Sequence, residues 1–232
     1  MRSFDYIESG KTLLTPHTTS LLAAIHEAKG RQSIQTTIRP DILGTLVAVA
    51  RIQSTDASNR IEGISTSDSR LNDLVSEKVT PRNRNEEEIA GYRDALSVIH
   101  ESHDYIPITP NVILQLHRDL FRHTPLTFAG HFKDSDNVII ERDAHGTSTV
   151  RFAPPSALVT PELIERACSA YTQAIRDGHT DPLLAIAMFI LDFICIHPFN
   201  DGNGRMSRLL TLLMLYRNGY MVGKYISIEH LI

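Results

Sequence analysis

Twelve consecutive residues, His197-Pro198-Phe199-Asn200-Asp201-Gly202-Asn203-Gly204-Arg205-Met206-Ser207-Arg208, bring a base, a hard oxygen ligand, paired glycines and two guanidinium groups into one short stretch. An imidazole titrating near ~6.5 accepts a proton from a hydroxyl at neutral pH, so His197 is a candidate general base. Pro198 disfavours helical geometry at His197, which must therefore end the apolar helix spanning 182–196. Gly202 and Gly204 flank Asn203 just before a second apolar helix, allowing unusual backbone angles and close approach by a ligand. The N–H groups opening that helix carry partial positive charge and form an anion site of the kind that cradles phosphates. Arg205 and Arg208, three apart, share a helical face and are expected to reach a polyphosphate together. Asp201 suits Mg²⁺ bridging phosphates. A capped turn with two solvated arginines would explain any one of these residues, but explains poorly their concentration between two apolar helices.

The elements that position this stretch are written in start and stop signals. Thr15-Pro16, Thr109-Pro110, Thr160-Pro161 and Asp181-Pro182 each read as a cap followed by proline at the first helical position. Asn85 with Glu88 resembles a capping box. Gly30, Gly63, Gly178 and Asn218-Gly219 read as stops, and together the signals predict roughly eight helices. The exception is 137–152, where Val138-Ile139-Ile140 and Thr149-Val150-Arg151-Phe152 flank Asp143-Ala144-His145-Gly146 and predict a β-hairpin, marginal unless it lies against the helices or receives a partner strand. The expected class is mostly α with one hairpin. The chain stops in mid-pattern at Tyr225 to Ile232, as a fragment would.

Composition narrows the setting. The 232 residues carry Lys+Arg 23 against Asp+Glu 27, a formal net charge of -4, without the basic patch or stripe of a nucleic-acid binder. Cys168 and Cys195 lie in apolar-periodic segments and point to a reducing compartment, the cytoplasm. The N-terminus has no secretory pattern, and the apolar run Leu183 to Ile196 is too short for a bilayer and contains Asp192. Another local oddity is Glu62, in the last turn of a helix expected over Asp41 to Gly63. The helix dipole disfavours a carboxylate there by ~0.3–1 kcal/mol, so a cationic partner is implied, Arg60 being the nearest candidate beside solvent.

The stretch His197 to Arg208 resembles, position by position, the motif of the Fic (filamentation induced by cAMP) domain family. The resemblance extends to the helix around Glu88-Ile89-Ala90-Gly91-Tyr92, to the hairpin, and to an N-terminal helical segment. It implies a Fic-type helical bundle with a β-hairpin flap, an N-terminal segment over 1–85 bearing an inhibitory helix, and a catalytic core over 86–232 whose C-terminal part is cut short. The implied activity is transfer of AMP from ATP to a Ser, Thr or Tyr hydroxyl of a target protein, releasing pyrophosphate. By the same resemblance His197 deprotonates the hydroxyl, and Asp201 holds Mg²⁺ on the phosphates. Gly202, Asn203, Gly204 and Arg205 form the anion hole, Arg208 binds the γ-phosphate, and Met206 and Ser207 complete the ATP-binding stretch. Phe199 packs inward and fixes the loop. Doc-type kinases carry Lys at the place of Gly204, which disfavours kinase-like use of ATP. Ile194 and Ser207 depart from residues the family often has, without touching these roles. Ser58-Asn59-Arg60-Ile61-Glu62-Gly63 resembles the family's inhibitory motif, which implies that Glu62 pairs with Arg208, obstructing the γ-phosphate, while Ser58 hydrogen-bonds Glu62. Val138, Ile139 and Ile140 in the flap would hold a target segment by strand addition.

Rival readings are a de-AMPylase using the same site, with Glu62 orienting a water, and a catalytically silent ATP-binding regulator, against which an intact His197 and Arg208 speak. No membrane partner is expected, nor any nucleic acid by the visible residues, and a homo-oligomer is left open. His117-Arg118-Asp119-Leu120 mimics a kinase catalytic loop but lacks its Asn, Thr124 standing there, so it reads as helix surface. His100, His103 and Asp104 read as a solvated helix end rather than a zinc site. Cys195 reads as buried in its helix rather than as a nucleophile.

Overall fold

A computed structural model describes all residues except 1–3, 39, 143–145, 147, 177 and 232, and the side chains of all but these, 33–38, 40–42 and 142. Among the described residues it is helical with one hairpin. In order come α1 (Tyr6–Leu13), α2 (Pro16–Ile38), α3 (Pro40–Ile61), α4 (Asp68–Val75), α5 (Arg84–Ser102) and α6 (Pro110–Leu120). The strands β1 (Ile139–Arg142) and β2 (Ser148–Phe152) follow, then α7 (Thr160–Arg176), α8 (Pro182–Ile196), α9 (Asn203–Arg217) and α10 (Val222–Tyr225). No described helix is long and apolar enough to cross a membrane.

The capping signals are realised with three corrections. Thr109 Oγ accepts from Val112 N–H at 3.4 Å, and Asp181 accepts from Leu183 N–H at 2.9 Å, as a cap before proline should. Thr160, in contrast, is no cap: a 3₁₀ turn at Ala157–Val159 leads directly into α7, and its hydroxyl turns back to Ser156 O at 2.9 Å. The cap of α5 is Asn83, not Asn85. Asn83 Oδ1 accepts from Glu86 N–H at 3.0 Å, and Asn85 donates instead to Ser65 O at 3.3 Å. Gly30 does not stop α2, because Lys29 and Arg31 are good helix formers and one glycine costs only ~1 kcal/mol against alanine.

α8 and α9 form the centre of the core. Phe189, Phe193 and Ile196 of α8 and Met206, Leu209, Leu210 and Leu213 of α9 are buried with side chains from α5, α6 and α7. α5 and α6 touch backbone to backbone, since a Cβ at Gly91 would overlap Leu120 O. That approach brings the end of α6 under the loop joining α8 to α9. α3 lies across α5, with the C-terminal residues packed against it. The buried Glu229 carboxylate accepts from Ser54 Oγ of α3 at 2.9 Å and Tyr92 Oη of α5 at 3.1 Å. β1 and β2 pair antiparallel, with Ile140 opposite Val150 and an irregularity between Ile139 and Ile140. The expected tip at Asp143 to His145 lies outside the described residues.

Candidate active site

α8 ends at His197, whose φ of 50° and ψ of 64° are left-handed rather than the extended conformation expected before Pro198. Either conformation breaks the helix, and this one turns the imidazole off the α8 axis. The loop that follows is held from inside. Phe199 N–H donates to Asn203 Oδ1 at 3.0 Å, while Asn203 Nδ2 returns a bond to Phe199 O at 2.8 Å. The buried Phe199 ring stacks on His117 with centroids 3.7 Å apart and planes within 1°.

His117 is therefore not helix surface. Gly130 N–H donates to its Nδ1 at 2.9 Å, which leaves the proton on Nε2 to bond Asp201 O at 3.1 Å. This network needs a neutral ring, and burial pulls the His117 pKa down to about 4. A second support missed in the sequence is Lys133. Its N–H donates to Pro198 O at 2.8 Å, and its buried ammonium to Ile196 O at 3.2 Å and Asn137 Oδ1 at 3.0 Å. Asn200 Nδ2 adds a bond to Asp134 Oδ1 at 3.2 Å, so the segment leading into the hairpin clamps the loop on both sides of Phe199. Neither residue carries a local sequence signal, since its role depends on contacts more than sixty positions away.

His197 Nδ1 is buried without a hydrogen-bond partner among the described residues, although the Ile194 carbonyl favours the protonated ring. Burial, then the Lys133 ammonium, lower its pKa below the usual value; Glu62 acts in the opposite sense. Burial thus favours the neutral ring, the form a general base needs. α9 opens with Gly202 at φ 80° and no side-chain cap. A Cβ on Gly204 would overlap Glu62 Oε1, so the Glu62 carboxylate lies against the opening turn of this helix, where an anion is favoured.

Arg208 Nη2 donates to Glu62 Oε1 at 2.7 Å. The cation implied for Glu62 is hence Arg208 and not Arg60, which pairs with Asp56 at 2.7 Å and Asp68 at 3.5 Å. Ser58 differs from its expected part. Its hydroxyl accepts from Arg208 Nε at 2.8 Å and its carbonyl from Arg208 Nη2 at 2.8 Å, so it holds the arginine and not the glutamate. A second correction concerns Arg205, whose side chain does not join Arg208. It is buried, with Nη1 2.7 Å from Glu88 Oε2 and the guanidinium 5.0 Å from the Phe121 ring centroid, so only its backbone can serve the anion hole. Met206 and Ser207 also point inward, Ser207 Oγ donating to Gly204 O at 2.7 Å.

Asp201 is half-exposed at the mouth of the loop, one oxygen accepting from Gly202 N–H at 2.6 Å. No group of three or more His, Cys, Asp or Glu that could hold a metal occurs among the described residues. One open carboxylate fits a Mg²⁺ that takes its remaining ligands from phosphates and water, and does not fit an all-protein metal cage. In the hairpin Val138 and Ile140 are about half exposed, and Ile139 is partly buried. Away from the loop, His100 is buried and not solvated, beside Tyr216 Oη at 3.2 Å, with its pKa pulled to about 4 by burial. Cys195 is only partly buried and lines an apolar groove of ≈ 430 Å³ with Phe152, Leu163 and Asp192.

Residues 107–215 match the Fic/DOC family. A Fido domain-containing protein of Dictyostelium discoideum is 37% identical over 90 residues, covering 37% of this chain and 58% of that protein. Protein adenylyltransferase fic-1 of Caenorhabditis elegans is 28% identical over 145 residues, covering 59% of this chain and 25% of its own length. The chain thus spans less than two thirds of the length of either relative. In fold it is similar to a Fic domain containing signaling protein from Bacteroides thetaiotaomicron, with a TM-score of 0.72 and 24% identity over 85% of this chain and 73% of that one.

Proposed function

This chain is a Fic-domain protein, and from that premise we propose that it is an autoinhibited adenylyltransferase that moves AMP from ATP to a hydroxyl of a target protein. The observation that carries the reading is the meeting of a neutral, half-buried His197 with the uncapped start of α9, whose anion-binding turn is covered by the Glu62 carboxylate.

The target hydroxyl gives its proton to His197, at Nε2 since Nδ1 is buried. Its oxygen forms a bond to the α-phosphorus while the bond from that phosphorus to the β-phosphate oxygen breaks, and pyrophosphate leaves. The N–H groups of Gly202, Asn203, Gly204 and Arg205 face the developing charge, which accords with a reaction governed by positioning and charge stabilisation. Arg208, once free of Glu62, takes the γ-phosphate. Mg²⁺ arriving with ATP would be held by Asp201 and would supply charge neutralisation on the phosphates. Val138, just before β1, and Ile139 and Ile140 within it would offer the target segment a strand edge. Two free cysteines suit a reducing compartment, and the cytoplasm is the proposed setting.

Removal of AMP is the second reading, because Glu62 lies close enough to favour a charged His197 and is placed to orient a water. The test of the first is transfer of label from α-labelled ATP into lysate proteins by Glu62→Gly, with and without His197→Ala. Label that depends on His197 is the expected result. Nucleotide binding without transfer would leave a silent regulator instead.

A further inference from the structure

The reaction above makes no use of the Glu88 side chain, yet Glu88 sits beneath the site between two arginines. Arg205 and Glu88 are 2% and 4% exposed, with Arg205 Nη1 2.7 Å from Glu88 Oε2. The other Glu88 oxygen accepts from Arg84 Nε at 2.8 Å. Both guanidinium groups also face Asp201, but from farther away: Arg84 Nη2 lies 3.8 Å from Oδ2 and Arg205 Nη2 3.8 Å from Oδ1. Glu88 thus holds each arginine at full ion-pair distance while Asp201 meets both at the outer limit.

We propose that Glu88 is a positioning residue for the divalent cation: by engaging Arg84 and Arg205 it keeps both guanidinium groups from closing on the Asp201 carboxylate, whose Oδ1 is held by Gly202 N–H and whose Oδ2 is left for the cation. The assignment rests on the adenylyl-transfer reading, in which Asp201 meets the cation that accompanies ATP. The four side chains carry two positive and two negative charges. With Glu88 neutral, the two arginines share one carboxylate, and the cluster repels a cation. Arg84 is largely exposed and can turn into water. Arg205 cannot, because Phe121 and the core enclose it, so it closes on Asp201 from the Oδ1 side and sets an uncompensated positive charge against the carboxylate the metal would use.

The test is Mn²⁺ binding, read by electron paramagnetic resonance, to Glu62→Gly protein saturated with α,β-methylene-ATP, which is not cleaved at the reacting bond. Glu88→Gln is expected to weaken Mn²⁺ binding about tenfold or more, the range typical of groups behind a metal ligand, with metal-free nucleotide affinity changed less than about twofold. Adding Arg205→Met removes the competing cation and is expected to restore Mn²⁺ affinity to within about threefold of the parent. Unchanged Mn²⁺ affinity in Glu88→Gln, or a double variant as weak as the single one, overturns the assignment. Should Glu88→Gln not fold by circular dichroism, Glu88→Asp, with its shorter reach, is expected to weaken Mn²⁺ binding about threefold, and no change there overturns it equally. A parent that binds no nucleotide defeats the adenylyl-transfer reading and this assignment with it, whereas a parent that binds both ligands isolates the role of Glu88.

Discussion

Arg205 and Arg208 stand three residues apart at the start of one helix and meet opposite fates. Arg205 is closed in by Phe121 and Glu88, with both partners of its ion pair almost fully buried. Arg208 meets Glu62 across a seam where their side chains are 17% and 35% exposed. Breaking a buried pair strands a desolvated charge and typically costs ~3–5 kcal/mol, whereas a pair near solvent is worth about 1 kcal/mol or less. The difference separates a permanent half of the site from a removable one. His117, Phe199, Asn203 and Arg205 fix the loop that carries His197, whereas Glu62, just past the end of α3, covers the start of α9, where the proposed function puts a polyphosphate.

Four perturbations probe that division. The largest effect is expected from His197→Ala in a Glu62→Gly background, where AMP transfer measured with labelled ATP should fall by about 10²–10⁴-fold. Retained transfer would remove the base from the permanent half. Next, Arg205→Ala should lower unfolding free energy in urea by ~3–5 kcal/mol and Arg208→Ala by less, ~1–2 kcal/mol, the latter mostly from the Ser58 hydroxyl and carbonyl it leaves unpaired. Equal losses would erase the contrast between the two arginines.

Acid should attack the buried framework before the seam. His117 and His100 titrate at about 4 in the fold, against ~6.5 for an unfolded imidazole, so the unfolded chain binds more protons between those values. Stability is then full above pH ~6.5 and falls on acidification towards pH 4, by up to ~3 kcal/mol per ring. Chemical denaturation across that range measures it, and His117→Gln, if it folds, should show the shallower slope. The smallest change in stability belongs to the flap. Ile140→Ser, at a side chain 53% exposed, should alter the melting temperature by no more than a degree or two, since surface changes rarely exceed ~0.5 kcal/mol. It should still reduce target modification more than ATP binding, measured side by side.

How much of this was legible in the sequence follows from the range of the interactions. Thr109, Asp181, Gly202 and the hairpin at 139–152 are local signals, and the structure realises them. Glu62 is an intermediate case. Its position against the helix dipole demands a cation, but only the packing of α3 beside α9 supplies Arg208. Arg205 and Arg208 have the right helical spacing to share a face, yet that spacing does not reveal that Glu88, on another helix, draws one of them inward. His117 and Lys133 were beyond reach altogether. Their bonds to Asp201 and Ile196 exist only once α6 and the segment before the hairpin close around the loop.

The central claim is that Glu62 occupies a place ATP needs, and ATP affinity measures it most directly. Isothermal titration of ATP with Mg²⁺ into the parent and into Glu62→Gly, on protein shown to be equally folded, should give binding tighter by about tenfold or more in the variant, equivalent to ~1.4 kcal/mol. Equal affinities in the two proteins would contradict the account, because the Glu62 carboxylate would then lie against α9 without obstructing the nucleotide.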